Sequence, residues 1–185
     1  MLALEIKIQM ETQSLWSFLH DSSLICVKSD SFERNAILEF KNENITGKIE
    51  QENEINWNVK IENVSRLIAL KWELWPGNAP ELNGLKISEQ EKLTREYQEK
   101  GRTTSVNWND FEKIFNRESI WIKDGTIITK ESGILFETYG HTEKADVMYE
   151  IKIYGSLIKC IQSDQKEIAI EELIKIGNEY WENAK

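Results

Sequence analysis

The sequence predicts an α+β fold. Its core is a predominantly antiparallel sheet of about eight or nine strands, strongly curved or two-layered, with a C-terminal helix packed on it and one or two helices inserted mid-chain. Three observations carry this expectation. Several segments alternate apolar and polar residues with period two, most cleanly Ile55, Trp57, Val59 and Ile61 around Asn56, Asn58 and Lys60. The C-terminal segment instead sets Leu173, Ile174, Gly177, Tyr180 and Trp181 at helical spacing, with Glu171, Glu172, Glu179 and Glu182 on the other side. Short polar loops separate the strand-like runs, which suits hairpins rather than long parallel crossovers.

Composition bounds the function classes. A chain of 185 residues fits one domain, 1–185, large enough to build a core without disulfide or metal staples. A net charge of -9 argues against nucleic acid as a ligand, because phosphate binding needs clustered Lys and Arg. The same charge is expected to keep the chain soluble, with solvation the simpler explanation and the steering of a basic partner the alternative. Cys26 and Cys160 lie in separate predicted strands with no CxxC spacing, so both are expected as reduced, buried thiols. Glu5 and Lys7 interrupt the apolar N-terminal stretch that a signal peptide needs intact, and no run approaches the roughly 20 apolar residues that span a bilayer. A cytoplasmic protein without membrane association is expected.

Taken in order, Leu2, Leu4, Ile6, Ile8 and Met10 form an opening strand. Thr12 or Ser14 then caps a helical turn with an apolar face of Leu15, Trp16, Phe18 and Leu19, too short to stand unless packed on the sheet. Leu24 to Lys28 and Ala36 to Phe40 pair across a polar loop, 41–54 is loop or irregular edge, and strands follow over 55–61 and 66–75, the latter stopped by Trp75-Pro76-Gly77. Ser88 and Glu91 make a capping box for a helix ending at Gly101, and Asn107 or Asn109 caps a second, shorter helix carrying Phe111, Ile114 and Phe115. Asp124-Gly125 reads as the tight turn of a hairpin between 120–123 and 126–129, and 134–139, 147–153 and 156–162 complete the strands.

The chemistry-bearing residues are few. His20 and Asp21 sit where the first helical turn meets a strand. A general base oriented by a carboxylate needs those residue types, yet neighbours on an extended chain point apart, so structural roles are the simpler expectation: His20 ending the helix and Asp21 accepting turn N–H groups. His141 falls in a polar loop with no ligand-spaced Cys or carboxylate, so no metal, cofactor or catalytic residue is assigned. Trp57, Trp72 and Trp75 suit either stacking on a ligand or core packing. No phosphate-cradling glycine loop, zinc-protease helix or nucleophile elbow occurs.

The stretch Trp16-Ser17-Phe18-Leu19-His20-Asp21-Ser22-Ser23-Leu24, together with Trp75-Pro76-Gly77 and Gly177-Asn178-Glu179-Tyr180-Trp181, resembles small bacterial proteins that include His-Asp-motif immunity families of polymorphic toxin systems. The resemblance implies no enzymatic activity and a protein that binds and blocks a toxin, with an acidic surface suited to a basic partner. The first reading is therefore a non-enzymatic protein-binding domain, immunity-like in its sharpest form, with His20, Asp21, Trp72, Trp75 and Trp181 as candidate contact residues. The alternative is a small-molecule-binding protein or hydrolase using a pocket near His20 and Asp21.

Overall fold

The computed structural model describes residues 11–30, 32–42, 56–73, 84–86, 88–89, 92–93, 103–116, 118–142, 147–162 and 166–183. Eleven described strands form one sheet in which every described ladder is antiparallel. In chain order they are β1 (Glu11–Ser14), β2 (Ser23–Asp30), β3 (Asn35–Lys41), β4 (Asn56–Glu62), β5 (Arg66–Glu73), β6 (Thr103–Val106), β7 (Ile120–Lys130), β8 (Gly133–Thr142), β9 (Val147–Gly155), β10 (Leu157–Gln162) and β11 (Glu167–Ile168). Helices are α1 (Trp16–Leu19), α2 (Trp108–Glu112), which runs into a 3-10 turn at Lys113–Asn116, and α3 (Ile170–Asn183). Residues 88–89 and 92–93 are also helical.

The order across the sheet is β11-β10-β4-β3-β2-β7-β8-β9-β5-β6, with β1 beside β7. Period-two alternation sends Ala36, Leu38 and Phe40 of β3 and Trp57, Val59 and Ile61 of β4 into the core, where they meet Phe136, Ile151 and Ile153 of β8 and β9. The sheet curls far enough that the end of β9 reaches β4: a Cβ on Gly155 would stand 2.8 Å from Glu62 O. Among the described residues, the ladder that joins the two halves of the sheet is the short β2–β7 pairing, at Ser23 opposite Trp121 and Leu24 opposite Ile120.

Several expectations change. The strand count exceeds the expected eight or nine, because β1, β6 and β11 are short and lack an apolar period. Asp124-Gly125 is no hairpin turn: β7 runs straight through it, and the register shift between Ile122 and Asp124 absorbs the extra residue as a bulge. Ser88 is itself helical rather than the cap, and Glu89 accepts from the Lys86 N–H at 3.1 Å, while Glu91 and Gly101 lie outside the described residues. Asn107 does cap α2, accepting from Asn109 N–H at 2.9 Å. The expected strand over 2–10, the loop residues 43–55 and Trp75-Pro76-Gly77 lie outside the described residues. Among the described residues no helix is long and apolar enough to cross a membrane.

Candidate functional site

The site begins with an interruption in a strand. β1 pairs with β7 up to Ser14 opposite Thr126, and Leu15 N–H still donates to Gly125 O at 2.7 Å. The chain then lifts off as α1 and returns to the same ladder, with Asp21 N–H on Ile122 O at 3.2 Å and Ile122 N–H on Ser22 O at 2.8 Å. α1 is thus a single helical turn looped out of one strand position. The Ser14 hydroxyl starts it by accepting from Trp16 N–H at 3.3 Å, and His20 N–H closes it on Trp16 O at 2.8 Å. Phe18 and Leu19 point into the core, but Trp16 does not join them and is 40% exposed.

α3 locks this turn in place. Gly177 lies against the α1 backbone rather than against the sheet: a Cβ there would stand 2.3 Å from Ser17 O. That approach lets the Trp181 indole N–H donate to Ser17 O at 3.1 Å and the Ser17 hydroxyl donate to Ile174 O at 3.2 Å. Trp181 consequently packs on Trp16, ring centres 5.2 Å apart, and takes the edge of His20 at 5.4 Å, while His20 sits 4.8 Å from Trp16. Tyr180 meets Trp181 edge-on at 5.2 Å.

Asp21 carries the cluster across to β7. Its backbone is left-handed, φ 61°, a conformation Asp tolerates better than most residues. This turns the carboxylate back toward its neighbour, so the separation expected of adjacent residues on an extended chain does not arise. Oδ2 stands 3.2 Å from His20 Nδ1 without forming a hydrogen bond to it, and that buried ring nitrogen has no hydrogen-bond partner among the described residues. Oδ1 accepts the Trp121 indole N–H at 3.1 Å. The expected acceptance of turn N–H groups by this carboxylate gives way to that indole.

Trp121 is 42% exposed because the parity of β7 sends Ile120 and Ile122 inward. Lys123 lies 5.9 Å from its ring centre. His141 is not in a loop but in β8, directly across the ladder from Trp121. β8 continues through Gly140 because a Cβ there would stand 2.3 Å from Trp121 O. His141 Nδ1 stands 3.0 Å from Thr142 O, a carbonyl that can only accept. Both histidines therefore flank Trp121, one through Asp21 and one across the strands.

Of the residues expected to make contacts, His20, Asp21 and Trp181 come together. Trp72 does not: it is half-buried on β5, paired with Met148 and Thr103. Trp75 lies outside the described residues. Trp16 and Trp121 are the members that sequence reasoning missed; the outward parity of Trp121 beside two isoleucines was the available signal. Among the described residues no three His, Cys, Asp or Glu side chains group closely enough to hold a metal ion.

Fold and surface together define a curved antiparallel sheet protein with a pre-positioned, half-exposed aromatic patch. No family model, curated protein or solved structure matches the chain.

Proposed function

We propose that this chain is a non-enzymatic protein-binding domain that contacts its partner through Trp16, Trp121 and Trp181, and that the partner is basic. In its sharpest form the reading is an immunity-like protein that blocks a toxin in the bacterial cytoplasm. The observation that supports it is the Asp21 bridge: two large indoles stay about two-fifths exposed while hydrogen bonds and ring contacts restrict their motion. Rigid, partly exposed tryptophans are the side chains that dominate binding hot spots, and ordering them beforehand lowers the entropy lost on association. The exposed Glu171, Glu172, Glu179 and Glu182 on α3 add the charge that accelerates encounter with a basic surface.

The hydrolase reading finds less support. The two buried serines flanking His20 are committed elsewhere, Ser17 donating to Ile174 O and Ser22 to Leu19 O at 2.6 Å. Capture from native lysate with wild-type protein and with a Trp16→Ala/Trp121→Ala double variant, followed by titration of the purified partner, tests the proposal. A stoichiometric basic protein retained by the wild type and lost by the variant is expected. Equal retention by both would overturn the assigned surface, and a wild type that retains no basic protein would overturn the function.

A further inference from the structure

A cleft of about 400 Å³ lies between two hairpin ends, lined by Ser29, Asp30, Arg34 and Asn35 on one side and Val64, Ser65, Arg66 and Leu67 on the other. We infer that this cleft binds a phosphate monoester carried by a small molecule, held by Arg34 and Arg66. The inference starts from charge. In a chain with 32 acidic and 23 basic residues, cations on the sheet faces are readily neutralised: Lys60 pairs with Glu62, Lys152 with Glu137 and Glu150, and Lys159 with Glu62 and Glu167. Arg34 and Arg66 are the only arginines among the described residues. Both line this one cleft, and among the described residues neither guanidinium pairs with a carboxylate. Arg66 lies 5.9 Å from the Tyr154 ring centre.

The backbone supplies a second, independent indication. Arg34 and Asn63 are left-handed, with φ 56° and 52°, and Val64 N–H donates to Arg34 O at 2.7 Å, tying the two turns together. Glycine or asparagine relieves strain at such a position, whereas arginine does not. The long side chain stands there against the local preference, as residues held for a ligand do. The one carboxylate in the lining does not cancel the two cations by direct pairing: Asp30 Oδ1 is taken by Phe32 N–H at 2.8 Å and Glu33 N–H at 2.9 Å.

Guanidinium forks match tetrahedral oxyanions with paired N–H donors, which selects phosphate over chloride. Ser65 Oγ, bonded at a long 3.4 Å to Tyr154 O, is free to turn and add a donor. Val64 and Leu67 offer an apolar wall for the carbon body of the ligand.

Backbone amide spectra during titration with sodium phosphate, phenyl phosphate and, at matched ionic strength, sodium chloride provide the test. Saturable shifts confined to Ser29, Arg34, Ser65, Arg66 and their neighbours are expected for both phosphates, with phenyl phosphate the tighter. Arg34→Gly and Arg66→Gln should each weaken binding about tenfold or more, and Arg34→Lys should also weaken it because the fork is lost. Arg34→Gly relieves the left-handed strain, so its melting temperature should not fall, which separates lost binding from lost folding. Shifts that stay linear, match those in chloride, or persist in both variants would overturn the site. Equal affinity for the two phosphates would overturn the small-molecule ligand.

Discussion

The Asp21 carboxylate holds the Trp121 indole N–H at 3.1 Å across 100 residues of sequence, and the same carboxylate stands 3.2 Å from the His20 ring. One side chain therefore sets the posture of two members of the aromatic patch. Replacing it with alanine removes the acceptor and leaves a β-carbon residue with poor tolerance for φ 61°. Asp21→Ala should lower stability by about 1–2 kcal/mol and broaden the Trp121 indole signal, with weaker partner binding. Asp21→Asn keeps both an acceptor and tolerance of the left-handed region, so it should lose less than half as much. Urea unfolding and indole proton spectra of the two variants decide this.

Gly177→Ala sets helix propensity against sterics. Alanine gains about 1 kcal/mol in a helix interior. Here its Cβ would lie 2.3 Å from Ser17 O and 2.9 Å from Phe18 N, both backbone atoms of a turn fixed on either side by β7. Sterics should win, with a net loss of about 2 kcal/mol and displacement of Trp181 from Ser17 O. A thermal melt with unchanged or raised midpoint would show that α3 docks less tightly than the structure indicates.

Glu112 gathers three donors on one oxygen: Ser29 N–H at 2.8 Å, the Ser29 hydroxyl at 2.7 Å and the Trp108 indole at 2.9 Å. Glu112→Ala should free α2 from β2 and cost about 2 kcal/mol. Hydrogen exchange provides a local readout: protection at Ser29 should fall while protection in β9 stays near wild type.

Burial pushes the Cys160 thiol up to about 12 from 9.0, with Glu167 and Glu171 adding to the rise. The folded chain thus keeps this proton where the unfolded chain loses it. The resulting stability is fully present below pH 9 and is lost as pH rises toward 12, at a slope of about 1.4 kcal/mol per unit at most. Cys160→Ala should flatten that portion of the curve while lowering stability at neutral pH through the small cavity it leaves. Alkylation at pH 8 should label the half-buried Cys26 first, although its own thiol is also raised, chiefly by desolvation.

How legible all this was depends on how far each feature reaches in sequence. β4 and α3 announce themselves because one face of each is buried, so Trp57, Val59 and Ile61, or Leu173 and Gly177, repeat at the period of the element. β7 does not, because Asp-Gly carries the chemistry of a tight turn and only the facing strand shows that a bulge absorbs it. The sequence puts His141 in a loop for the same reason: Gly140 resembles a strand end, and only its backbone against Trp121 O shows the strand continuing. Within the patch, His20 and Asp21 stood out as polar residues at the end of an apolar turn. Their true partner, Trp121, is set by pairing between β2 and β7, and no local pattern encodes that register.

Among the described residues the ladder joining the two halves of the sheet is two residue pairs long, and Trp121 belongs to one of them. A binder resting on Trp16, Trp121 and Trp181 touches both sides of that seam and the helix that covers it. It acts as a latch: the bound chain must release its partner before the seam can part. Binding should then appear in kinetics chiefly as slower unfolding, with the folding rate little changed, because the patch is complete only after its three distant segments have met.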